Sequence, residues 1–399
     1  MTIDRDRFMK DGYMIVRNAI PADKLEAVRS AYEVLVDLQK GIWAADRGES
    51  DPPEGVWATS AQPRLNLETM ANLVDERSAM AIEAWLNPNI HGLSSTLLGV
   101  PDAAVTQMML MCSPVKDHGP ALWHRDMYPP YCAPLGGYIE DILEGGPRYI
   151  QWNIPLYDDD VLWVVPGSHI RVNSEEEDAS IRSDPRVPLS GSIQTNLKAG
   201  DGVVYILPIL HWGSNYTPLL RRCIHGGFST FSQYEDLSFL NHLSDNTQAA
   251  FSRWDLRSEE MKEHTESALR AFMAGNKDGY FTALERLHPG RGDRGRALST
   301  VFLSKTSKRI HSLKQPEFHT LPEQEQGWAE RPHPGTLQWG RAFAARFSTA
   351  EAQRLWERFQ QVDSLVQSSE PQYAPGFQGA NSIYNFIGMP LTEAILAAV

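Results

Sequence analysis

The hydrophobic pattern of this chain changes rhythm twice. Near the start, Met14, Ile15 and Val16 form a short apolar run between Gly12 and Asn18, which predicts a strand after a first short helix. Pro21 and Asp23 then open a helix, and Leu25, Val28, Ala31, Tyr32, Val34 and Leu35 recur at helical spacing. Residues 41–63 mix Gly, Pro, Trp and charge and read as loop. Residues 79–85 are helical, and a further helix ends near Gly99.

From about residue 105 short apolar runs alternate with Gly and Pro turns, at 108–111, 149–156, 161–165, 203–210 and 224–231. Such spacing predicts a β-sandwich or barrel. From about residue 236 the pattern is mostly helical again, most clearly at 258–274 and 349–368, with a Pro- and His-containing loop at 316–335 between them. The expected layout is therefore a domain over 1–235, with helices to about 100 and a β core over 101–235, followed by a helical extension over 236–399. That extension suits packing on the core as a lid or an oligomer face, and a homodimer is one expected form. Helices at both ends suit the outer face of a sheet sandwich.

Composition narrows the function. The 399 residues carry 37 basic and 50 acidic side chains, a formal net charge of −13, which disfavours a nucleic-acid partner. No run approaches the roughly 20 apolar residues of a membrane span, and the charged N-terminus has no signal-peptide pattern. The three cysteines, Cys112, Cys132 and Cys223, show no C-x-x-C spacing, which argues against a disulfide scaffold or a thiolate zinc site. A cytoplasmic setting is the expectation.

Two histidines stand out among the twelve. His124-Arg125-Asp126 occurs in LWHRDMYPP, and on a strand residues i and i+2 share a face, so imidazole and carboxylate would project together toward one metal. The rival His264-Thr265-Glu266 falls in a helical stretch, where i and i+2 diverge. His211 ends the apolar run of AGDGVVYILPILHWGSN, after a Gly-Asp turn. Two histidines and one carboxylate with open positions form the facial triad of non-haem Fe(II) oxygenases.

A short connection, residues 215–220, leads from His211 to RRCIHGGFSTF. The start of a returning strand lies beside the end of its partner, so Arg221 or Arg222 would lie near the metal. A guanidinium binds a carboxylate in bidentate fashion, which suits the far carboxylate of 2-oxoglutarate. Alternation puts Arg221, Cys223, His225, Gly227 and Ser229 on one face, and Arg222, Ile224, Gly226 and Phe228 on the other. The polar set suits a cofactor-lined interior and favours Arg221; Arg222 is the alternative.

Five stretches, in order, resemble the phytanoyl-CoA dioxygenase family of Fe(II)/2-oxoglutarate oxygenases: DGYMIVRNAIPADKLEAVRSA, WHRD, LWVVPGSH at residues 162–169, AGDGVVYILPILHWGSN and LLRRCIHGGF. Together they span about the first 230 residues. The chain departs from the family pattern in three places. Asp158-Asp159-Asp160-Val161 stands where a glycine usually precedes the Leu-Trp. The connection from Asp126 to the strand at Tyr149 carries extra Gly-rich sequence. His211 to Arg221 is one residue shorter than the commoner spacing. His169 in PGSH reads as a structural residue after a turn.

The resemblance implies a double-stranded β-helix, the jelly-roll or cupin-like barrel, with Fe(II), 2-oxoglutarate and O2 used to oxidise a C–H bond of a small molecule and succinate as by-product. It implies His124, Asp126 and His211 as ligands. Asp126 argues against halogenation, since related halogenases replace this carboxylate with a small residue. Trp152 and Gln107 are further candidates for the 2-oxoglutarate pocket, and Trp123, Arg125, Met127 and Tyr128 for the substrate pocket. Two other readings share parts of this pattern: a cupin-like non-oxidative metalloenzyme, which has no need of the arginine, and a silent binding barrel, which has no need of the ligands.

Overall fold

The computed structural model describes residues 3–214, 220–232, 234, 236–322, 326–327, 333–377 and 382–399. The chain divides into two compact units, one of residues 1–125, 148–169 and 173–255, the other of residues 126–147, 170–172 and 256–399.

The first unit contains nine strands among its described residues: β1 (Tyr13–Val16), β2 (Arg64–Asn66), β3 (Ala104–Cys112), β4 (Tyr149–Pro155), β5 (Leu162–Val164), β6 (Ile193–Gln194), β7 (Gly202–Ile206), β8 (His211–Gly213) and β9 (Arg222–Ser229). They form an antiparallel six-stranded sheet, β1-β7-β4-β9-β3-β2, and a three-stranded one, β6-β5-β8. A single bridge between His124 and His211 adds one more position beside β8. With β3 counted as the first core strand and the His124 bridge as the second, core strands 1, 3, 6 and 8 fall in the large sheet and 2, 4, 5 and 7 in the small one. This is the jelly-roll order, realised as two open sheets.

Alternation decides what each face buries. Leu162 and Val164 of β5 meet Val203 and Tyr205 of β7, with Leu197 and Ile209, and the half-buried Tyr13 and Ile15 of β1 complete this inter-sheet core. The opposite face of the large sheet is covered by helices. There the Trp152 indole N–H donates to Ser94 Oγ in the helix His91–Leu98 at 2.9 Å, and Phe228 packs on Trp85 with centroids 5.8 Å apart.

Local punctuation fails in three places, each for a tertiary reason. The expected loop at 41–63 is partly helical: the helix Ala22–Ala45 runs through Gly41, and a short helix spans Val56–Thr59. Trp43 and Trp57 pack there at 6.0 Å, with the Lys40 ammonium 4.7 Å from the Trp57 ring, so burial carries the helix past its glycine. The Gly-rich connection after Asp126 forms the helix Leu135–Gly145. Its glycines make a close approach: Leu135 and Gly136 N–H donate to the carbonyls of Phe386 and Ile387 at 2.9 Å, and a Cβ on Gly136 would lie 3.0 Å from the Ile387 oxygen. The third is the helix expected over 349–368, which stops at Leu365 and gives way to a hairpin of Gln367–Gln372 with Ser382–Tyr384. Of the expected loop at 316–335, two 3-10 turns, Pro316–Thr320 and Pro334–Thr336, lie within the described residues, and 323–325 and 328–332 lie outside them.

The second unit is built around the helix Asp293–Ser312, buried over most of its length. At its centre Lys305 Nζ lies 2.7 Å from Asp363 Oδ1, both side chains at most 2% exposed. Tyr384 and Gln367 donate to the other carboxylate oxygen at 2.6 and 2.7 Å, so the buried anion is satisfied on both oxygens.

His169 shows how the PGSH turn is used. Its Nε2 donates to the Met9 carbonyl at 2.9 Å, and its ring packs on Gly12, where a Cβ would lie 2.3 Å from Nδ1. Gly12 also has a φ of +80°, so both backbone and space demand glycine. Burial pushes the His169 imidazole down to about 4 from its usual 6.5. The unfolded chain takes up this proton near pH 6.5 and the folded chain only near 4. The stability His169 contributes is thus intact above pH 6.5 and lost as the pH falls toward 4. In urea unfolding at pH 7 and 4.5, we expect the advantage of wild type over His169→Gln to shrink by about 2–3 kcal/mol. A pH-independent difference would refute the neutral buried imidazole.

Candidate metal centre

The centre is assembled by backbone pairing. His124 N–H donates to the His211 carbonyl and His211 N–H to the His124 carbonyl, both at 2.9 Å. This exchange places the two residues directly opposite each other on one face. The imidazole centroids are 4.3 Å apart. The expected strand at His124 is reduced to bridge positions at His124 and Arg125, and Asp126 follows in a bend. The alternation survives nonetheless: Trp123, Arg125 and Met127 are buried, while His124 and Asp126 are half-buried.

His124, Asp126 and His211 each offer a ligand atom, and these atoms lie within 4.8 Å of one another. His124 Nδ1 is 2.7 Å from the Leu122 carbonyl and His211 Nδ1 is 3.0 Å from that of Ile209. A carbonyl can only accept, so each Nδ1 carries the proton and each Nε2 is left as a lone-pair donor. Such a second hydrogen bond fixes the tautomer and raises ligand basicity. The residues fit a divalent metal with open positions. Two nitrogens and one carboxylate oxygen suit Fe(II) rather than a thiolate-bound ion.

Below the histidines the interior is polar. Register puts Gln151 and Asn153 of β4, Tyr205 of β7 and Gly227, His225 and Cys223 of β9 on one face. Gln151 Nε2 donates to Tyr205 Oη at 2.7 Å, His225 Nδ1 is 2.5 Å from Asn153 Oδ1, and the Tyr205 ring is 5.5 Å from that of His211. Arg221 continues this face, with Nε 2.7 Å from Asp159 Oδ2. Arg222 points to the other side, where its Nε is 3.0 Å from Glu33 Oε1 and its guanidinium lies 5.8 Å from the Trp57 ring. The connection 215–219 lies outside the described residues.

The remaining candidates separate by face. Gln107, paired with Gly227 across β3 and β9, shares the polar face. Trp152 does not; it belongs to the helix-covered side, because β4 presents Gln151 and Asn153 inward and the residue between them outward. Trp123 stacks on Trp212 at 5.5 Å and donates its indole N–H to the Val187 carbonyl, facing away from the imidazoles. Arg125 is fully buried; it donates to the Ser168 carbonyl at 2.6 Å, to Pro208, and to Asn173 Oδ1 at 2.7 Å. It braces the turn before β8 rather than opening onto a substrate. Met127 packs with Cys132 and Leu135, and the exposed Tyr128 lies against Tyr131 at 5.2 Å. His264 and Glu266 lie on the helix Asp245–Met273, where Glu266 pairs with Arg270 at 2.8 Å. The polar pairs Gln151–Tyr205 and Asn153–His225 escaped sequence reading. Their signal was the i, i+2 polar spacing in Gln151-Trp152-Asn153, which a large aromatic masked.

The profile of the phytanoyl-CoA dioxygenase (PhyH) family matches residues 8–223, more than half of the sequence. The chain belongs to this family. As a PhyH protein it is a 2-oxoglutarate-dependent oxygenase, and His124, Asp126 and His211 form a site that could hold its iron. No curated protein matches it in sequence. Among solved structures, it is similar to AviO1 from Streptomyces viridochromogenes Tue57, at 21% identity over 57% of this chain and 96% of that one, with a TM-score of 0.39. EctD from S. alaskensis, solved with 2-oxoglutarate and 5-hydroxyectoine, is 18% identical over 57% and 78%, with a TM-score of 0.37. The carbocyclase SnoK from nogalamycin biosynthesis is 18% identical over 57% and 84%, with a TM-score of 0.40. Overlaps this loose carry no activity from one chain to another.

The tautomer argument gives a direct test. Co(II), used in place of Fe(II), should bind wild type at one ion per chain. His124→Ala, Asp126→Ala and His211→Ala should each weaken it by more than the roughly 10–100-fold that loss of a ligand's hydrogen-bond partner costs. His169→Gln should leave it unchanged. Stoichiometric binding in the His211 variant would remove that residue from the ligand set.

Proposed function

We propose that this PhyH enzyme hydroxylates an unactivated C–H bond of a small organic molecule while 2-oxoglutarate is decarboxylated to succinate. The observation that carries the reading is the convergence of three ligand atoms within 4.8 Å, with both imidazoles held in the Nε2-donating tautomer. When bound, iron and 2-oxoglutarate supply the oxidising chemistry.

The chain's own residues hold and orient. His124, Asp126 and His211 would hold the ion and leave positions open for co-substrate and O2. Arg221 is the residue we assign to the far carboxylate of 2-oxoglutarate, since it continues the inward polar face while Arg222 is engaged by Glu33 on the outer side. Gln107, Gln151 and Tyr205 are the neutral donors on that face. In this reading residues 1–235 form the catalytic domain and 236–399 an extension to it. The three cysteines are unpaired and buried, which suits a reducing cytoplasm. Among the described residues no helix is long and apolar enough to cross a membrane.

The test is spectroscopic. Anaerobic protein with Fe(II) and 2-oxoglutarate should develop the weak visible charge-transfer band of the chelate, and His211→Ala should lose it. Arg221→Gln should weaken 2-oxoglutarate by roughly 10–100-fold, the worth of a charge-assisted pair, with Arg222→Gln near wild type. No band in wild type would sink the assignment, and the reverse order of the two arginine variants would move the role to Arg222. Product analysis with a turned-over substrate separates hydroxylation from desaturation or ring closure.

A further inference from the structure

Arg221 already has a carboxylate partner. Its Nε lies 2.7 Å from Asp159 Oδ2, and both side chains are 5% exposed. Asp159 is itself rigidly held. Its main chain exchanges two hydrogen bonds with Leu197, at 2.9 and 3.0 Å, and its Oδ1 accepts the Val161 N–H at 3.1 Å. It is the middle member of Asp158-Asp159-Asp160, which stands where the resembling sequences carry glycine before the Leu-Trp signature. The neighbouring acids face out: Asp158 pairs with Lys198 at 2.7 Å with its side chain 54% exposed, and Asp160 is exposed as well. Only the central carboxylate of the three is turned inward.

We propose that Asp159 is the resident counter-ion of Arg221 and sets how tightly the enzyme binds the far carboxylate of 2-oxoglutarate. The inference rests on the Arg221 assignment above. A buried guanidinium with no anion is strongly destabilising, so a fixed carboxylate keeps this part of the interior neutral in the free enzyme. A second carboxylate reaching the same guanidinium meets a charge already compensated and a like charge held rigidly beside it. Buried charges are screened far less than exposed ones, so that opposition persists in salt. Asp159 engages Nε, whereas a bidentate carboxylate uses a pair of the five N–H donors, so the two anions compete through charge while sharing one planar group. Asp159 is thus a positioning residue that holds the guanidinium plane and lowers co-substrate affinity.

The experiment uses the full chain, anaerobic and loaded with Fe(II), titrated with 2-oxoglutarate and separately with pyruvate. Pyruvate offers the same chelating keto acid without a far carboxylate. Asp159→Asn keeps the shape and removes the charge. It should bind 2-oxoglutarate severalfold more tightly than wild type and pyruvate equally. Without ligand it should melt at a lower temperature than wild type, and 2-oxoglutarate should raise its Tm by more. Unchanged or weaker 2-oxoglutarate binding, or an equal shift for pyruvate, would overturn the proposal, because a purely structural aspartate lowers the Tm alone. If Asp159→Asn does not fold, Asp159→Glu, which moves the charge, must alter 2-oxoglutarate affinity and spare pyruvate; equal affinity for both again overturns it. Arg221→Gln separates the two levels. Wild-type 2-oxoglutarate affinity in that variant removes the Arg221 assignment and this inference with it. Weakened affinity there, alongside an inert Asp159→Asn, removes the inference alone.

Discussion

Two backbone hydrogen bonds between His124 and His211 hold the chemistry of this enzyme together. They join segments 87 positions apart. Because the pair exchanges both bonds, the side chains must leave on the same side, and the imidazoles meet at 4.3 Å. Each ring then turns its Nδ1 to a carbonyl two residues back along its own chain, Leu122 or Ile209. Ligand spacing and ligand tautomer therefore follow from main-chain geometry and need no further side chain.

The residues beside the histidines keep that geometry from relaxing. Trp123 and Trp212, each next to a ligand and pointing the other way, stack at 5.5 Å. Arg125 carries a full charge with no exposure, satisfied by carbonyls at Ser168 and Pro208 and by Asn173. A buried cation costs stability unless it is hydrogen-bonded, and these three acceptors fix one arrangement of the turn before β8. The WHRD motif thus divides its labour by alternation: two residues offer ligand atoms and two lock the backbone.

The sandwich interior is divided in the same way. One region is apolar, where Leu162, Val164 and Val203 close the two sheets together. The face of β4 and β9 beside it carries Gln151, Asn153 and His225, with Arg221 and Asp159 further along. A polar interior must be hydrogen-bonded throughout, and here the side chains pair with one another. Such a face suits a small polar co-substrate, since the exchange of one set of polar partners for another costs little.

The sequence by itself singled out the three residues whose ligand atoms converge, the β-rich middle and the alternation of the arginine strand, because these depend on spacing of two along strands and on the order of short motifs. Cys223 and His225 lie on one face of β9 and Arg222 and Ile224 on the other, as alternation predicts. Tertiary structure decided the rest. Trp152 faces the helices, since a large aromatic suits either side of a sheet and only pairing with Gly226 fixes which. The Gly-rich connection after Asp126 is helical over Leu135–Gly145, where the segment Phe386–Ile387 lies against its glycines. The Asp159–Arg221 pair joins residues 62 positions apart, and no local pattern distinguishes its carboxylate from the exposed ones on either side. What a residue can do was written in its chemistry and its parity; which partner it meets was settled by packing between distant segments.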